Sequence, residues 1–248
     1  MEVARLCLLR SALKVVQPKS HQPVSGDTMS SISNETPFGD FHITSGGSLK
    51  FVQKWKFHFE TEGGTPWNND EKAQFKRLSI LQVTATWDKR ITINVTPLKH
   101  HKNSDLPKYP SHKKVTRDWH VSIVESGKPH WNIFAVKLAK GQHLQSPAGD
   151  DSGAYVMYLQ RKVVVDFAAF NKNANDNNSQ QSIMAHEFGH MLALANVDEY
   201  VSDNRKNFGD SGSILSVGTE PRARHLGWVL ENYNSMVGNV GFSFGSHK

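Results

Sequence analysis

Residues 184–192 read Met-Ala-His-Glu-Phe-Gly-His-Met-Leu, which sets histidines at positions 186 and 190. Residues four apart in an α-helix lie on one face, about 6 Å from each other. Most other positions are apolar, and this predicts a buried helix. Two histidines and a glutamate are costly inside a protein unless they are paired or bind a metal. His186, Glu187 and His190 are therefore candidates for a metal site, with hydrogen-bonded core histidines as the alternative.

The spacing of the two histidines suits zinc. Both imidazoles can reach one Zn²⁺ ion at about 2.0–2.1 Å. Glu187 follows the first histidine and need not bind the metal, so it can act as the general base that takes a proton from a metal-activated water. The pattern predicts one Zn²⁺ per chain, held by His186 and His190, with Glu187 as the catalytic residue.

His186-Glu187-Phe188-Gly189-His190 resembles the active-site motif of the zincin metallopeptidases. The resemblance implies an α+β catalytic domain with a mixed sheet, a backing helix, an active-site helix and a helical C-terminal part. It also implies a cleft between the sheet and the active-site helix. The expected activity is that of a zinc-dependent endopeptidase acting on protein or peptide substrates.

The residues after His190 determine which kind of zincin the chain resembles. The metzincin pattern continues with a glycine and a third histidine, but this chain has Ala193 and Asn196 at those positions. Glu199 follows His190 after eight residues, a spacing similar to that of enhancin-like gluzincins. The Asp-Glu-Tyr ending at 198–200 also resembles some bacterial effector-type zincins, which implies delivery outside the producing cell.

Three residues are candidates for the third zinc ligand. The gluzincin-like spacing implies Glu199, whose long side chain can reach back to the metal. Asp198 is an alternative ligand, or a hydrogen-bond partner that fixes a ligand histidine. His225 is the ligand if Ser213-Ile214-Leu215-Ser216 behaves like the similar metzincin turn beneath the zinc, and an ordinary turn is the other interpretation. Tyr200 or His225 could stabilise the transition state.

Outside the motif, alternating apolar residues predict strands, and a longer polar-capped segment predicts a helix. Asn69, Asp70 and Glu71 read as a helix cap with an acidic first turn, followed by Phe75, Leu78 and Leu81 on one face. Ser179 or Ser182 could cap the histidine helix, and residues 221–228 read as a C-terminal helix. The strands are expected at 49–59, 91–95, 121–124, 133–138 and 162–167.

The N-terminal region and the composition limit the remaining interpretations. Residues 1–38 predict a disordered or targeting tail before a single domain at 39–248. Arg10 interrupts the apolar run that a signal peptide would need. No apolar run approaches the roughly 20 residues of a membrane span. The single cysteine, Cys7, cannot form an intrachain disulfide.

The formal charge is +6, and many of the basic residues lie in one segment, Leu98–Arg117. Its prolines predict a loop, and without an apolar frame for His100, His101 and His112 we expect a solvated loop rather than a metal or polyanion site. The alternative function is a non-catalytic, zinc-stabilised binding protein that uses this loop for polyanionic partners. We find no basic motif interleaved with aromatic residues, so the sequence does not predict a specific nucleic-acid partner.

Overall fold

The computed structural model describes residues 31–62, 65–100, 102–111, 113–125, 127–138, 148–151, 154–160, 182–192, 210, 212–216 and 218–247. The helices in this part of the chain are α1 (Asn69–Trp87), α2 (Ile183–Leu192) and α3 (Gly227–Met236), and a short 3₁₀ helix (Ala223–Leu226) precedes α3. The strands are β1 (Ile32–Glu35), β2 (Asp40–Ile43), β3 (Leu49–Glu62), β4 (Ile91–Pro97), β5 (Val115–Val124), β6 (Trp131–Leu138), β7 (Ala148–Asp151), β8 (Ala154–Gln160) and β9 (Val240–His247).

The described strands form one mixed sheet in the order β7-β8-β6-β3-β5-β4-β9, with β2 also paired to β3 and β1 to β2. The central pairs β3–β5, β3–β6 and β6–β8 are parallel, and the outer pairs are antiparallel. Together with three α-helices, this arrangement confirms the predicted α+β class with a mixed sheet. None of the described helices is long and apolar enough to cross a membrane.

Strand β3 is the centre of the sheet. Its first half pairs with β2 and β5, and its second half pairs with β6. The alternate residues Leu49, Phe51, Gln53 and Trp55 are buried, as expected for a strand with one face towards the core. The predicted period of two is therefore confirmed here. In β4 the predicted Ile91, Ile93 and Val95 are buried, and Thr92 between two of them is buried as well.

Helix α1 begins where the sequence predicts it, but its buried residues follow one another in steps of four rather than three. Its N-cap is Asn68, one residue before the expected start of the cap, and Glu71 completes a capping box with it. The buried positions are Phe75, Ser79, Val83 and Trp87. Of the three residues predicted on the buried face, Phe75 is buried and Leu78 is partly buried against the core, but Leu81 is 51% exposed, so its placement was wrong. The β-branched residues at 83, 84 and 86 continue the helix to Trp87.

Both ends of the domain differ from the expectation. Strand β1 lies inside the segment 1–38 that was predicted as a tail, and its pairing with β2 makes residues 32–35 part of the sheet. The expected C-terminal helix at 221–228 is the 3₁₀ helix and the start of α3. The chain then returns as β9, which pairs with β4, so the C-terminal part is not purely helical. The strand predicted at 162–167 lies outside the described residues.

The basic segment Leu98–Arg117 has an anchor that the sequence did not reveal. Tyr109 is buried, and its hydroxyl donates a hydrogen bond to the Gly47 carbonyl at 2.6 Å. Its backbone N–H donates to Asn239 Oδ1 at 2.6 Å, and Asn239 Nδ2 donates back to the Tyr109 carbonyl at 3.2 Å. The segment is therefore anchored to the core at Tyr109, whereas His100 and the lysines described around Tyr109 are exposed.

Candidate functional site

Helix α2, which carries the two histidines, is fixed at its start. Ser182 precedes the helix, and its Oγ accepts a hydrogen bond from the Ala185 N–H at 3.2 Å. Of the two predicted caps, Ser179 and Ser182, Ser182 is therefore the one that caps the helix. The same hydroxyl lies 2.9 Å from Gln82 Oε1 on α1. Trp87 at the end of α1 donates its indole N–H to the Ala185 carbonyl at 2.9 Å.

The far end of α2 is tied to the central strand by Gln53, a polar residue on the buried face of β3. Its Nε2 donates to the Phe38 carbonyl at 2.9 Å and to the Met191 carbonyl at 3.4 Å, and its Oε1 accepts from Trp55 Nε1 at 2.8 Å. Apolar packing adds to these bonds, because Phe188 faces both Phe51 and Trp87. The helix is held against both the sheet and α1.

His186 and His190 converge as the spacing predicts. Their Nε2 atoms lie 3.2 Å apart. His186 Nδ1 lies 2.7 Å from the carbonyl oxygen of Ile214. A carbonyl can only accept, so Nδ1 carries the proton, and a neutral His186 then presents an unprotonated Nε2. This nitrogen can accept a hydrogen bond from His190 or bind a metal.

The distance between the two ring nitrogens is compatible with a shared zinc ion. Two nitrogens bound to one tetrahedral Zn²⁺ at 2.0–2.1 Å are about 3.3–3.4 Å apart, close to the 3.2 Å between the two Nε2 atoms. A backbone carbonyl on the other ring nitrogen is the usual way in which a ligand histidine is oriented. Exposed fractions are 8% for both His186 and Glu187, and His190 is half-buried. The candidate site therefore lies at the border of the core.

The turn Ser213-Ile214-Leu215-Ser216 packs directly against α2. The Ile214 carbonyl meets His186, and Leu215 is buried against Gly189. A Cβ atom added at Gly189 would lie 2.7 Å from Leu215 Cδ2 and 3.3 Å from Trp87 Cζ2. Glycine at position 189 thus allows the turn to approach the helix between the two histidines.

We expect Gly189→Ala to lower the free energy of unfolding by about 1–3 kcal/mol, the usual cost of overpacking a core. Urea unfolding followed by circular dichroism measures the effect. Gly227→Ala is the matched control, because an added Cβ there has no atom within 4 Å. Equal stability of the two variants would show that the contact between Gly189 and Leu215 is not tight.

His225 is buried beside the same turn, and its described contacts differ from those of a ligand. Its Nδ1 accepts the backbone N–H of Arg222 at 3.1 Å, and its Nε2 lies 3.4 Å from Ser213 Oγ. With Nδ1 as acceptor, a neutral His225 carries its proton on Nε2. These contacts join the turn to the 3₁₀ helix. The ligand and transition-state roles of His225 stay predictions.

The structure brings together only part of the predicted site. His186, His190 and the turn at 213–216 are adjacent, and Glu187 is buried in the same helix. Asp198, Glu199 and Tyr200 lie outside the described residues, as do Ala193 and Asn196. Among the residues that are described, no group of three or more His, Cys, Asp or Glu side chains could hold a metal ion.

Three positioning contacts were missed by the sequence reasoning: those of Gln53, Gln82 and Trp87. Gln53 did carry a signal, because it is a polar residue on the apolar side of an alternating strand. A polar group that is buried must find partners, and Gln53 finds one of them on α2. Gln82 and Trp87 carried no comparable signal, because neither breaks a polar or apolar pattern in the sequence; their partners are Ser182, just before α2, and Ala185.

Comparison of the chain with protein-family models, with curated proteins and with solved structures finds no match.

Proposed function

We propose that the chain is a zinc-dependent endopeptidase with His186 and His190 as metal ligands and Glu187 as the general base. The observation that supports this most is the pair of Nε2 atoms 3.2 Å apart, with His186 Nδ1 bonded to the Ile214 carbonyl. A pair of core histidines needs no glutamate between them, whereas water-dependent hydrolysis needs a base beside the metal.

Each residue of the site has its own role in the proposed reaction. His186 and His190 hold the ion, and the Ile214 carbonyl keeps His186 in the tautomer that can bind it. Glu187 takes a proton from the attacking water and delivers it to the leaving amine nitrogen. Zn²⁺ bound here would lower the pKa of a water molecule to about 7 and polarise the scissile carbonyl. A third ligand from Asp198, Glu199 or His225 would leave one position open, as catalytic zinc sites require.

Metal analysis of the purified protein is expected to find about one zinc per chain. The protein should cleave a denatured protein mixture, and mass spectrometry of the new termini identifies the cut bonds. We expect 1,10-phenanthroline to abolish this cleavage, with the non-chelating 1,7 isomer as the control. Cleavage by metal-free protein would contradict the proposal.

The same experiment separates the alternative function from the proposed one. A structural zinc site is normally closed by four protein ligands and needs no general base. Protein that holds one zinc but cleaves nothing would favour a non-catalytic, zinc-stabilised binding protein. The segment Leu98–Arg117 would then be its surface for polyanions, because the lysines described there are exposed.

A further inference from the structure

The turn that meets His186 is closed by backbone hydrogen bonds between its two sides. The Ser213 N–H donates to the Asp210 carbonyl at 3.0 Å, and the Ile214 N–H donates to the Glu220 carbonyl at 2.8 Å. The Glu220 N–H donates back to the Gly212 carbonyl at 2.9 Å. The Ile214 carbonyl that accepts from His186 therefore belongs to a short loop whose ends, residues 210 and 220, are brought together.

The side chain of Arg222 spans these two ends. Its Nε and Nη2 donate to the two carboxylate oxygens of Asp210 at 2.9 and 2.8 Å, and its Nη1 donates to Glu220. Two parallel bonds from one guanidinium to one carboxylate fix orientation as well as distance. The hydrogen bonds from Arg222, with help from Arg224, hold the pKa of Asp210 well below its usual range. Asp210 consequently stays ionised in mildly acidic solution.

Gly212 lets the guanidinium lie close against the loop. A Cβ added at Gly212 would be 2.6 Å from Arg222 Nη2 and 3.6 Å from Asp210 Oδ1. Any other residue at this position would push the guanidinium away from the backbone of the turn. The close approach therefore depends on a missing side chain, just as the approach of Leu215 to α2 depends on Gly189.

We infer that Arg222 is a positioning residue: by bridging Asp210 and Glu220 it fixes the turn so that the Ile214 carbonyl faces His186 Nδ1. The carbonyl then keeps the proton of His186 on Nδ1 and leaves Nε2 unprotonated. Lysine could not replace it, because a single ammonium lacks the planar fork that spans both carboxylates. The consequence for zinc affinity rests on the proposed function, whereas the consequence for the tautomer of His186 does not.

The test compares the parent protein with Arg222→Gln. Nitrogen-15 NMR of the imidazoles in metal-free protein reports the tautomer, and the signals of His186 are those missing from a His186→Gln variant. We expect the parent to show the Nδ1–H tautomer and Arg222→Gln to show a mixture. Zinc affinity, measured by competition with a chromophoric chelator, should fall about 10–100-fold, the usual effect of losing a residue that orients a ligand. Arg77→Gln, an exposed change on α1, is the control and should leave both values unchanged.

Gly212→Ala is a second variant that keeps every charge and displaces the guanidinium. It should shift the tautomer in the same direction, and it decides the question if Arg222→Gln does not fold. An unchanged His186 tautomer and zinc affinity in a folded variant of either kind would overturn the inference. A parent protein that binds no zinc would remove the proposed function, but the NMR comparison would still decide the role of Arg222.

Discussion

Replacing Glu187 by glutamine is expected to lower kcat by about 10²–10⁴, the usual contribution of general acid–base catalysis. Glutamine keeps the size of the buried side chain but cannot take a proton from water. Because Glu187 is not expected to be a ligand, the variant should still hold about one zinc per chain. Its hydrolysis of a peptide identified from the cleavage products can be followed by chromatography, with the substrate in excess of KM.

Two controls show whether the loss of kcat in Glu187→Gln comes from removal of the general base. Glu60→Gln is the matched exchange at an exposed position of β3 and should leave kcat unchanged. Zinc content and the midpoint of thermal unfolding of Glu187→Gln should stay close to those of the parent. Unchanged turnover in a zinc-loaded Glu187→Gln variant would show that another group acts as the base.

The second large effect is expected at the third zinc ligand. Glu199→Ala should lower the zinc affinity by more than the roughly 10–100-fold expected from a residue that only orients a ligand. The reason is the eight-residue spacing after His190, which implies that the Glu199 carboxylate completes the set. Competition with a chelator of known affinity measures the loss, and activity serves as an independent readout.

Asp198→Ala and His225→Ala complete the comparison. Asp198→Ala should cost 10–100-fold in zinc affinity if Asp198 orients a histidine, and more if it is the ligand. His225→Ala should mainly lower the free energy of unfolding, by about 1–3 kcal/mol, because its partners Ser213 and Arg222 lose a buried hydrogen-bond partner. If Glu199→Ala binds zinc as tightly as the parent, the gluzincin-like ligand set is wrong, and the variant that loses most affinity identifies the ligand.

The sequence predicted those parts of the fold that depend on local patterns. The strands β3 and β4 follow from alternation, and Ser182 follows from its place just before an apolar helix. On α1 the sequence reading wrongly placed Leu81 on the buried face, and helix geometry explains the error. Residues three apart drift around a helix in one direction and residues four apart in the other. Tertiary packing of Trp87 against α2 selects the series from Phe75 in steps of four.

The sequence patterns did not predict pairings between residues that are far apart in the chain. Strand β9 contains Gly241 and Gly245, which weaken any local strand preference, and it forms by pairing with β4 nearly 150 residues earlier. The same holds for the candidate site: the His186–His190 pair follows from helix geometry, but its contact with Ile214 depends on the path of the whole chain. The choice among the candidate third ligands depends on that path too.

The parallel pairing of β3 also determines when the chain can assemble during synthesis. Leu49 has its neighbour Trp119 only after residues 50–118 have been made, and such long loops slow folding because their closure entropy is lost first. The histidine helix is translated later still, and its anchors Gln53 and Trp87 lie on elements that precede it. Growth from the N-terminus therefore brings out β1 to β8 and α1 before residues 186 and 190, whereas β9, the partner of β4, follows them. The hydrogen bond between His186 and the Ile214 carbonyl can form only after residues 213–216 have also been made.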